Sequence, residues 1–573
     1  MENIVITNKT LELCDCRDAW FFDEKYQCWC LEDILYTDKA TTPKFQRLSI
    51  FVPAPYMKEN GEIDPNGEKN GYTAKTVPVI FENNSAGYMQ MPHVWLDGPR
   101  CYAHPYLEKG YVYVSCGNRG HESKNEKGEF CGRSPINLVD LKTGIRFLRH
   151  NAKYLPGDFS RLISVGWSAG GAMSTLLAVT GNNKNFDSYL EENGAFMDES
   201  DAVYASQIYC PIVDLEHADL AYEWMFCADH ENEASPAGPA GVMTPFEEAL
   251  SELLKKDYIA YFNSLKLKNP EDGSDLNIGE DGRSGSGYEY LMKKLNESAT
   301  IFLTKLGNGE LPETYSVEDY LKGNYTYEVP APAPGPGPDG PDDAELMRGH
   351  AGPGVALQKM DQKPMEPPTL GDMVSRPPKG APYHPFVPPM MEVPGKDKAS
   401  WLSWDGKKAE ISDLDTYVLN HRRRMKPCTS FDILKGDSGE NKVFGTKTIP
   451  ALHFNSRITD AIEALKERFP EEYERYHASY EAVRGDEELA RKVYLINPLN
   501  YIATEEKSDA PEFYRIRVGA SDADTSLSVS MTLALKIAAA GKKVDYQMVW
   551  DQPHCEADYP GEVIEWIEKI CRN

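Results

Sequence analysis

The sequence predicts an α/β fold, a mostly parallel sheet covered by helices, with a large inserted lid domain. Three observations predict it. A short apolar strand signal runs into the turn Gly166-Trp167-Ser168-Ala169-Gly170 and on into a helical pattern. Strand and helix signals alternate from about residue 45 to 230, and again near the C-terminal end. Between these stretches the alternation stops, and helical segments and charged loops take over. Alternation implies parallel strands, because the chain must cross back over the sheet before each new one. The expected division is 1–225 for the first part of the core, 226–490 for the lid and 491–573 for the second part of the core.

The elements follow in order. Residues 47–52, 77–81 and 111–115 are rich in β-branched and aromatic side chains and read as strands. Asn137 to His150 carries apolar residues at helical spacing. Residues 162–165 form the strand before the glycine-flanked serine, Ala172 to Val179 the helix after it, and residues 206–210 a further short strand. In the lid, Phe246 to Leu265 and Ile458 to Arg468 read as helices. Pro330 to Pro394 carries 17 of the chain's 40 prolines, so it cannot form regular helix or a central strand. It reads as an excursion of the lid rather than a proline-rich ligand for a partner. The rhythm returns with a strand at 514–518, a helix from Thr525 to Ala540 stopped by Gly541, a strand from Val544 to Trp550 and a closing helix from Glu562 to Cys571.

Composition sets bounds. At 573 residues, 41% hydrophobic and 11% aromatic, the chain can bury a sizeable core. A net charge of −28 argues against nucleic acid and anionic membrane as partners. Met1 to Val5 lacks a basic and an apolar signal region, and no apolar run reaches membrane-spanning length, so a cytoplasmic location is expected unless a targeting segment has been removed. Oligomeric state is not legible at this level. Twelve cysteines are too few for a disulfide scaffold. Cys14-x-Cys16 and Cys28-x-Cys30 hold one residue between thiols where structural zinc sites use two to four. Free buried or half-buried thiols are expected there, with no metal and no cofactor.

Strand, Gly-x-Ser-x-Gly and helix together make the nucleophile elbow of the α/β-hydrolase fold. The glycines let the turn hold Ser168 in a strained conformation without side chains striking strand and helix. The geometry also sets a helix N-terminus behind a developing oxyanion. Chance would supply about 0.2 such pentapeptides in a chain of this length, so the partners decide. The fold orders them as Ser, acid, His. His554 follows the last strand. The preceding strand runs into Gly519-Ala520-Ser521-Asp522-Ala523-Asp524, which offers two acids at its carboxyl end. The aspartates' alternative role is to shape a turn and cap the next helix, and Asp214 and Asp551 are rival acids near strand ends. Ala169 N–H is one expected oxyanion donor. The other is expected from Asn84-Ser85-Ala86-Gly87-Tyr88, after the 77–81 strand.

The C-terminal stretch RIRVGASDADTSLSVSMTLALKIAAAGKKVDYQMVWDQPHCEADYPGE resembles the bacterial tannases, esterases that cleave galloyl esters. So do the elbow GWSAGG, Tyr209-Cys-Pro-Ile-Val-Asp-Leu215 with Ala221-Tyr-Glu-Trp224, and Glu440-Asn-Lys-Val-Phe-Gly445 with His453-Phe454. The resemblance implies Ser168 as nucleophile, Asp522 as acid, His554 as base and the Ala86 backbone in the oxyanion hole. It also implies substrate contacts from Asp524, Lys426 and Glu440, the last two in the lid. Adjacent phenols both donate and accept, so an ammonium and a carboxylate suit them. The implied substrate is a small aromatic ester, galloyl or another hydroxybenzoyl, hydrolysed through an acyl-enzyme. Feruloyl or other aromatic-acyl esters are the alternative, and a silent binding protein is the reading from another class. The proline-rich stretch departs from the tannase pattern. Of the cysteines that flank serine and histidine in fungal tannases only Cys555 is present, which reads as coincidence.

Overall fold

The computed structural model describes residues 11–83, 85–98, 101–232, 241–330 and 390–572. Its centre is a nine-stranded sheet. Numbered in chain order, its strands are β1 (Phe21–Asp23), β2 (Cys28–Leu35), β3 (Arg47–Pro53), β4 (Pro78–Asn83), β5 (Val112–Cys116), β6 (Asp158–Trp167), β7 (Ala205–Tyr209), β8 (Phe513–Gly519) and β9 (Lys543–Val549). Their spatial order is β1-β2-β3-β5-β4-β6-β7-β8-β9. The pairs from β5 through β9 are parallel, whereas β1, β2 and β3 join antiparallel at one edge. A mostly parallel sheet with helices on its faces is the α/β-hydrolase fold expected from the alternation.

Strands β3, β4 and β5 are buried along their whole length, as strands covered on both faces must be. Helices α1 (Ile136–His150) and α2 (Ala169–Val179) pack side by side, and α3 (Leu215–Phe226) follows β7. The chain then leaves the sheet and returns only at β8. Nevertheless β7 and β8 are direct neighbours, in register from Ala205 opposite Phe513 to Tyr209 opposite Arg517. The intervening helices include α4 (Pro245–Ser264), α5 (Ser286–Gly307), α6 (Leu414–His421) and the short α7 (Gly439–Val443). Helix α4 opens on a capping box, Thr244 accepting from Glu247 N and Glu247 accepting from Thr244 N. It lies along α3, and its Tyr258 donates to Ser528 at 2.7 Å. After β8 comes α8 (Leu527–Ala539), and the chain closes with α9 (Glu562–Arg572).

Two expectations change in detail. The edge strands β1 and β2 fall outside the expected strand–helix alternation, because they join the sheet antiparallel with no helix between them. Cys28 and Cys30 alternate to one face of β2, fully buried, with Sγ atoms 3.8 Å apart. Among the described residues no cysteine is in a disulfide bond. Helix α8 starts at Leu527, with Ser526 accepting from Ser528 N at its cap, so neither Asp522 nor Asp524 caps it. Most of the proline-rich stretch, residues 331–389, lies outside the described residues. Its two ends pair as an antiparallel ladder, Thr326–Pro330 against Met390–Pro394. Among the described residues no helix is long and apolar enough to cross a membrane.

Candidate active site

Ser168 stands between β6 and α2 with φ 60° and ψ −129°, a conformation that costs strain and is held by its surroundings. Its N–H donates to Tyr209 O at 3.1 Å, and its carbonyl accepts from Ala172 N at 3.1 Å. Gly166 before the serine and Gly171 after it are steric necessities. A Cβ on Gly166 would lie 2.3 Å from Gly170 O, and one on Gly171 would lie 2.4 Å from Tyr209 O. Strand, turn, helix and the neighbouring β7 end therefore meet with no room for a methyl group.

His554 lies on the loop after β9. Its Nδ1–H donates to Asp522 Oδ2 at 2.8 Å, which leaves Nε2 to accept the Ser168 hydroxyl at 2.8 Å. All three side chains are buried. Asp522 Oδ1 accepts the backbone N–H of Asp524 at 2.9 Å, so the carboxylate is held from both oxygens. Burial opposes the charge on Asp522, but His554, Arg422 and the Asp524 amide outweigh it and hold this carboxyl below the usual range. Burial likewise opposes an imidazolium at His554. Asp522 first and then Asp524 overcome it, raising the histidine well above its ordinary value.

The rival acids are engaged elsewhere. Asp214 bonds His217, Asn497 and Tyr261 at 2.6 to 2.8 Å, and Asp551 faces His421 at 3.6 Å. Cys555 contributes its carbonyl, which accepts the Cys210 thiol at 3.1 Å. Cys210, Asp522 and His554 offer donor atoms within 4.8 Å of one another, the one such metal-ligating trio among the described residues. Those donor atoms are already engaged, with one another, with Ser168, with the Asp524 amide and with Cys555 O.

Ala169 is the first residue of α2, so its amide sits at a helix N-terminus beside the serine. Ala86 opens a 3₁₀ turn, Ala86–Tyr88, which packs against α2. Asn84 lies outside the described residues. The segment is pinned by Asn83 Nδ2 donating to Ser174 Oγ at 2.9 Å, Ser85 Oγ to Asn118 Oδ1 at 3.0 Å and Tyr88 OH to Ile212 O at 2.6 Å.

Lys426 and Glu440 arrive from different segments of the chain between β7 and β8. Lys426 is buried, its ammonium 3.9 Å from the centroid of the Phe431 ring. Glu440 lies in the first turn of α7, which packs against the Ala86–Tyr88 turn. Tyr88 is raised chiefly by burial and further by the Glu440 charge. Asp524 is half-buried and acts electrostatically on His554. Sequence reasoning missed Arg422, whose guanidinium donates to Thr525 O and stabilises the charge on Asp522. It also passed over Cys210, whose thiol lies beside the pair formed by His554 and Asp522. Cys210 lies in a segment that carries the tannase resemblance, which was the available signal.

Residues 97–235 match the model of the BD-FAE family, an α/β-hydrolase family. No curated protein matches the chain. Among solved structures, the chain is similar to the tannin acyl hydrolase from Lactobacillus plantarum, at 28% identity and a TM-score of 0.69 over 95% of this chain and 94% of that one. A tannin acyl hydrolase in complex with ethyl gallate aligns at 27% identity and TM-score 0.69, covering 95% and 94%. Fusobacterium nucleatum tannase aligns at 26% identity and TM-score 0.68, covering 95% of each chain. The solved neighbours of this chain are thus bacterial tannases, matched along nearly its whole length.

Proposed function

We propose that this chain is a serine esterase that hydrolyses galloyl and related hydroxybenzoyl esters, of tannins and of simple alcohols, to release gallic acid. The coarser statement needs no proposal: with tannases as its solved neighbours the chain is a carboxylic ester hydrolase. The observation that carries the serine-esterase mechanism is the relay of two 2.8 Å hydrogen bonds from Ser168 through His554 to Asp522.

In this reading His554 Nε2 takes the Ser168 proton as Oγ attacks the ester carbonyl. The negative oxygen of the tetrahedral intermediate faces the Ala169 amide at the α2 N-terminus and the Ala86 amide. The imidazolium, held by Asp522, then returns the proton to the departing alkoxide, leaving a galloyl ester on Ser168. Water, deprotonated by the same Nε2, attacks that ester and frees the acid. No cofactor enters either half.

The acyl group is read by Lys426, Glu440 and Asp524. An ammonium donates to phenolic oxygens and the carboxylates accept from phenolic hydrogens. An acyl group without those hydroxyls leaves the charges unpaired, which is where discrimination arises. The ethyl gallate held by a solved neighbour supports this substrate class.

The test is acid release from methyl gallate, methyl benzoate and methyl ferulate by the purified chain, with Ser168→Ala alongside. A preference for the gallate, lost with the serine, is expected. Serine-dependent hydrolysis of the ferulate alone would keep the relay and overturn the galloyl assignment.

A further inference from the structure

Helix α3 belongs to the core and carries none of the residues assigned a role above, yet one stripe of it is bonded to the lid segment that bears Lys426. The stripe consists of Asp219, Tyr222 and Glu223, at helical spacing and fully buried. Asp219 accepts from the amides of Ser430 and Phe431, each at 2.8 Å, and from that of Asp432 at 3.2 Å. Glu223 pairs with the Arg424 guanidinium, the two side chains being wholly shielded from solvent. Arg424 in turn donates to Lys426 O at 3.3 Å.

Tyr222 stands at the centre of this stripe. Its hydroxyl accepts from Met425 N and from Lys426 N, both at 3.1 Å, and donates to Ala523 O at 2.9 Å. A phenol has one hydrogen and two lone pairs, so this one is fully used. Ala523 lies between Asp522 and Asp524. A single oxygen atom thus ties the backbone of the phenol-reading lysine to the turn that carries the relay acid and the second phenol-reading group. The ring adds a second tie: it meets Phe431 edge-on at 6.3 Å, and Phe431 carries the Lys426 ammonium on its face. Burial pushes the phenol up to about 12, so it keeps the proton it donates.

We propose that Tyr222 is a positioning residue for acyl-group specificity, setting the spacing between Lys426 on the lid and the Asp522–Asp524 turn on the core. This rests on the galloyl reading above. Removing the hydroxyl strands two buried amides and a carbonyl, and the Lys426 segment must shift to find other partners. A shift of this kind moves the ammonium away from the phenol position without breaking a bond of Ser168, of His554 or of the Asp522 carboxylate, none of which is made to Tyr222. Recognition of hydroxyls then suffers and the common acyl chemistry does not.

The experiment uses the full chain and its Tyr222→Phe, Lys426→Ala and double variants, with kcat and KM measured on methyl gallate and methyl benzoate. Tyr222→Phe is expected to raise KM for the gallate about tenfold or more, with kcat/KM on the benzoate within about threefold of wild type. The double variant should be little worse than Lys426→Ala, because both remove the same recognition. Equal losses on both esters, or additive losses in the double variant, would overturn the proposal by making Tyr222 an ordinary core residue. Asp219→Asn, which loosens the same segment from one helical turn away, should show the same KM-selective loss and serves if Tyr222→Phe does not fold; losses on both esters would again overturn it. If wild type fails to prefer gallate over benzoate, or Lys426→Ala leaves that preference intact, the galloyl reading itself falls, and that outcome is separable from a failure of Tyr222.

Discussion

Asp522→Asn is the sharpest single perturbation of this site. The carboxylate is fully buried and both oxygens are committed, Oδ1 to the Asp524 amide and Oδ2 to His554 Nδ1–H. An asparagine of the same shape has one oxygen and one amino group. The Asp524 amide can be answered only by the oxygen, so the amino group must face Nδ1. Two donors cannot share that bond, and the imidazole is driven to the tautomer with its proton on Nε2. That proton points at Ser168 Oγ, where a base is needed. Size and packing are unchanged, so the loss is one of tautomer rather than fold. A relay acid replaced in this way costs about 10⁴ in kcat, or about 5.5 kcal/mol at 1.36 kcal/mol per decade. The assay is steady-state release of gallic acid from methyl gallate near neutral pH, with melting temperature as the control. Asp214→Asn and Asp551→Asn, whose partners lie elsewhere, should remain within about tenfold of wild type. A loss of less than tenfold for Asp522→Asn would refute the argument, because His554 would then be oriented by something else.

Three further outcomes follow from the same geometry. Asp524→Asn removes a negative charge that raises His554; the imidazolium is then less stable, the neutral base persists to lower pH, and the acid limb of kcat/KM on methyl benzoate should move to lower pH. An unchanged or upward-moving limb would contradict it. Gly166→Ala places a methyl group 2.3 Å from Gly170 O, a backbone atom, so the variant should lose about 3 kcal/mol or more in urea unfolding, or fail to accumulate folded. A stable, active Gly166→Ala chain would show that the elbow has slack the structure denies. Glu223→Gln leaves the Arg424 guanidinium buried without its counter-charge and should cost about 3–5 kcal/mol, read as a lower urea midpoint. A loss under about 1 kcal/mol would mean that water reaches the pair.

Much of the fold was legible because its signals are local. The elbow is written in five consecutive residues, and the parallel strands appear as apolar runs bounded by helical stretches. Strand β2 was not legible, since it joins antiparallel at the edge and its CxC pattern has several physical explanations. The candidate site divides the same way. Ser168 and His554 announced themselves by their place at strand ends. Local pattern did not separate Asp522 from Asp524, because two residues on one turn carry the same chemistry; the tannase resemblance named Asp522 as the acid. Tyr222 was invisible, since a tyrosine on an apolar helix reads as core whether or not its hydroxyl bridges two segments.

The sequence alone determined the fold class, the strained serine turn and the order in which serine, acid and histidine occur. Each follows from short-range sterics and periodicity, which act between residues near one another in the chain. Only the tertiary structure showed Asp522, the acid the resemblance named, bonded to His554, Asp214 and Asp551 engaged elsewhere, and α3 bound to the segment carrying Lys426. Those facts depend on distances between side chains far apart in sequence. Such distances are set by the packing of β7 against β8 and of the Lys426 segment against α3, and no local pattern encodes them.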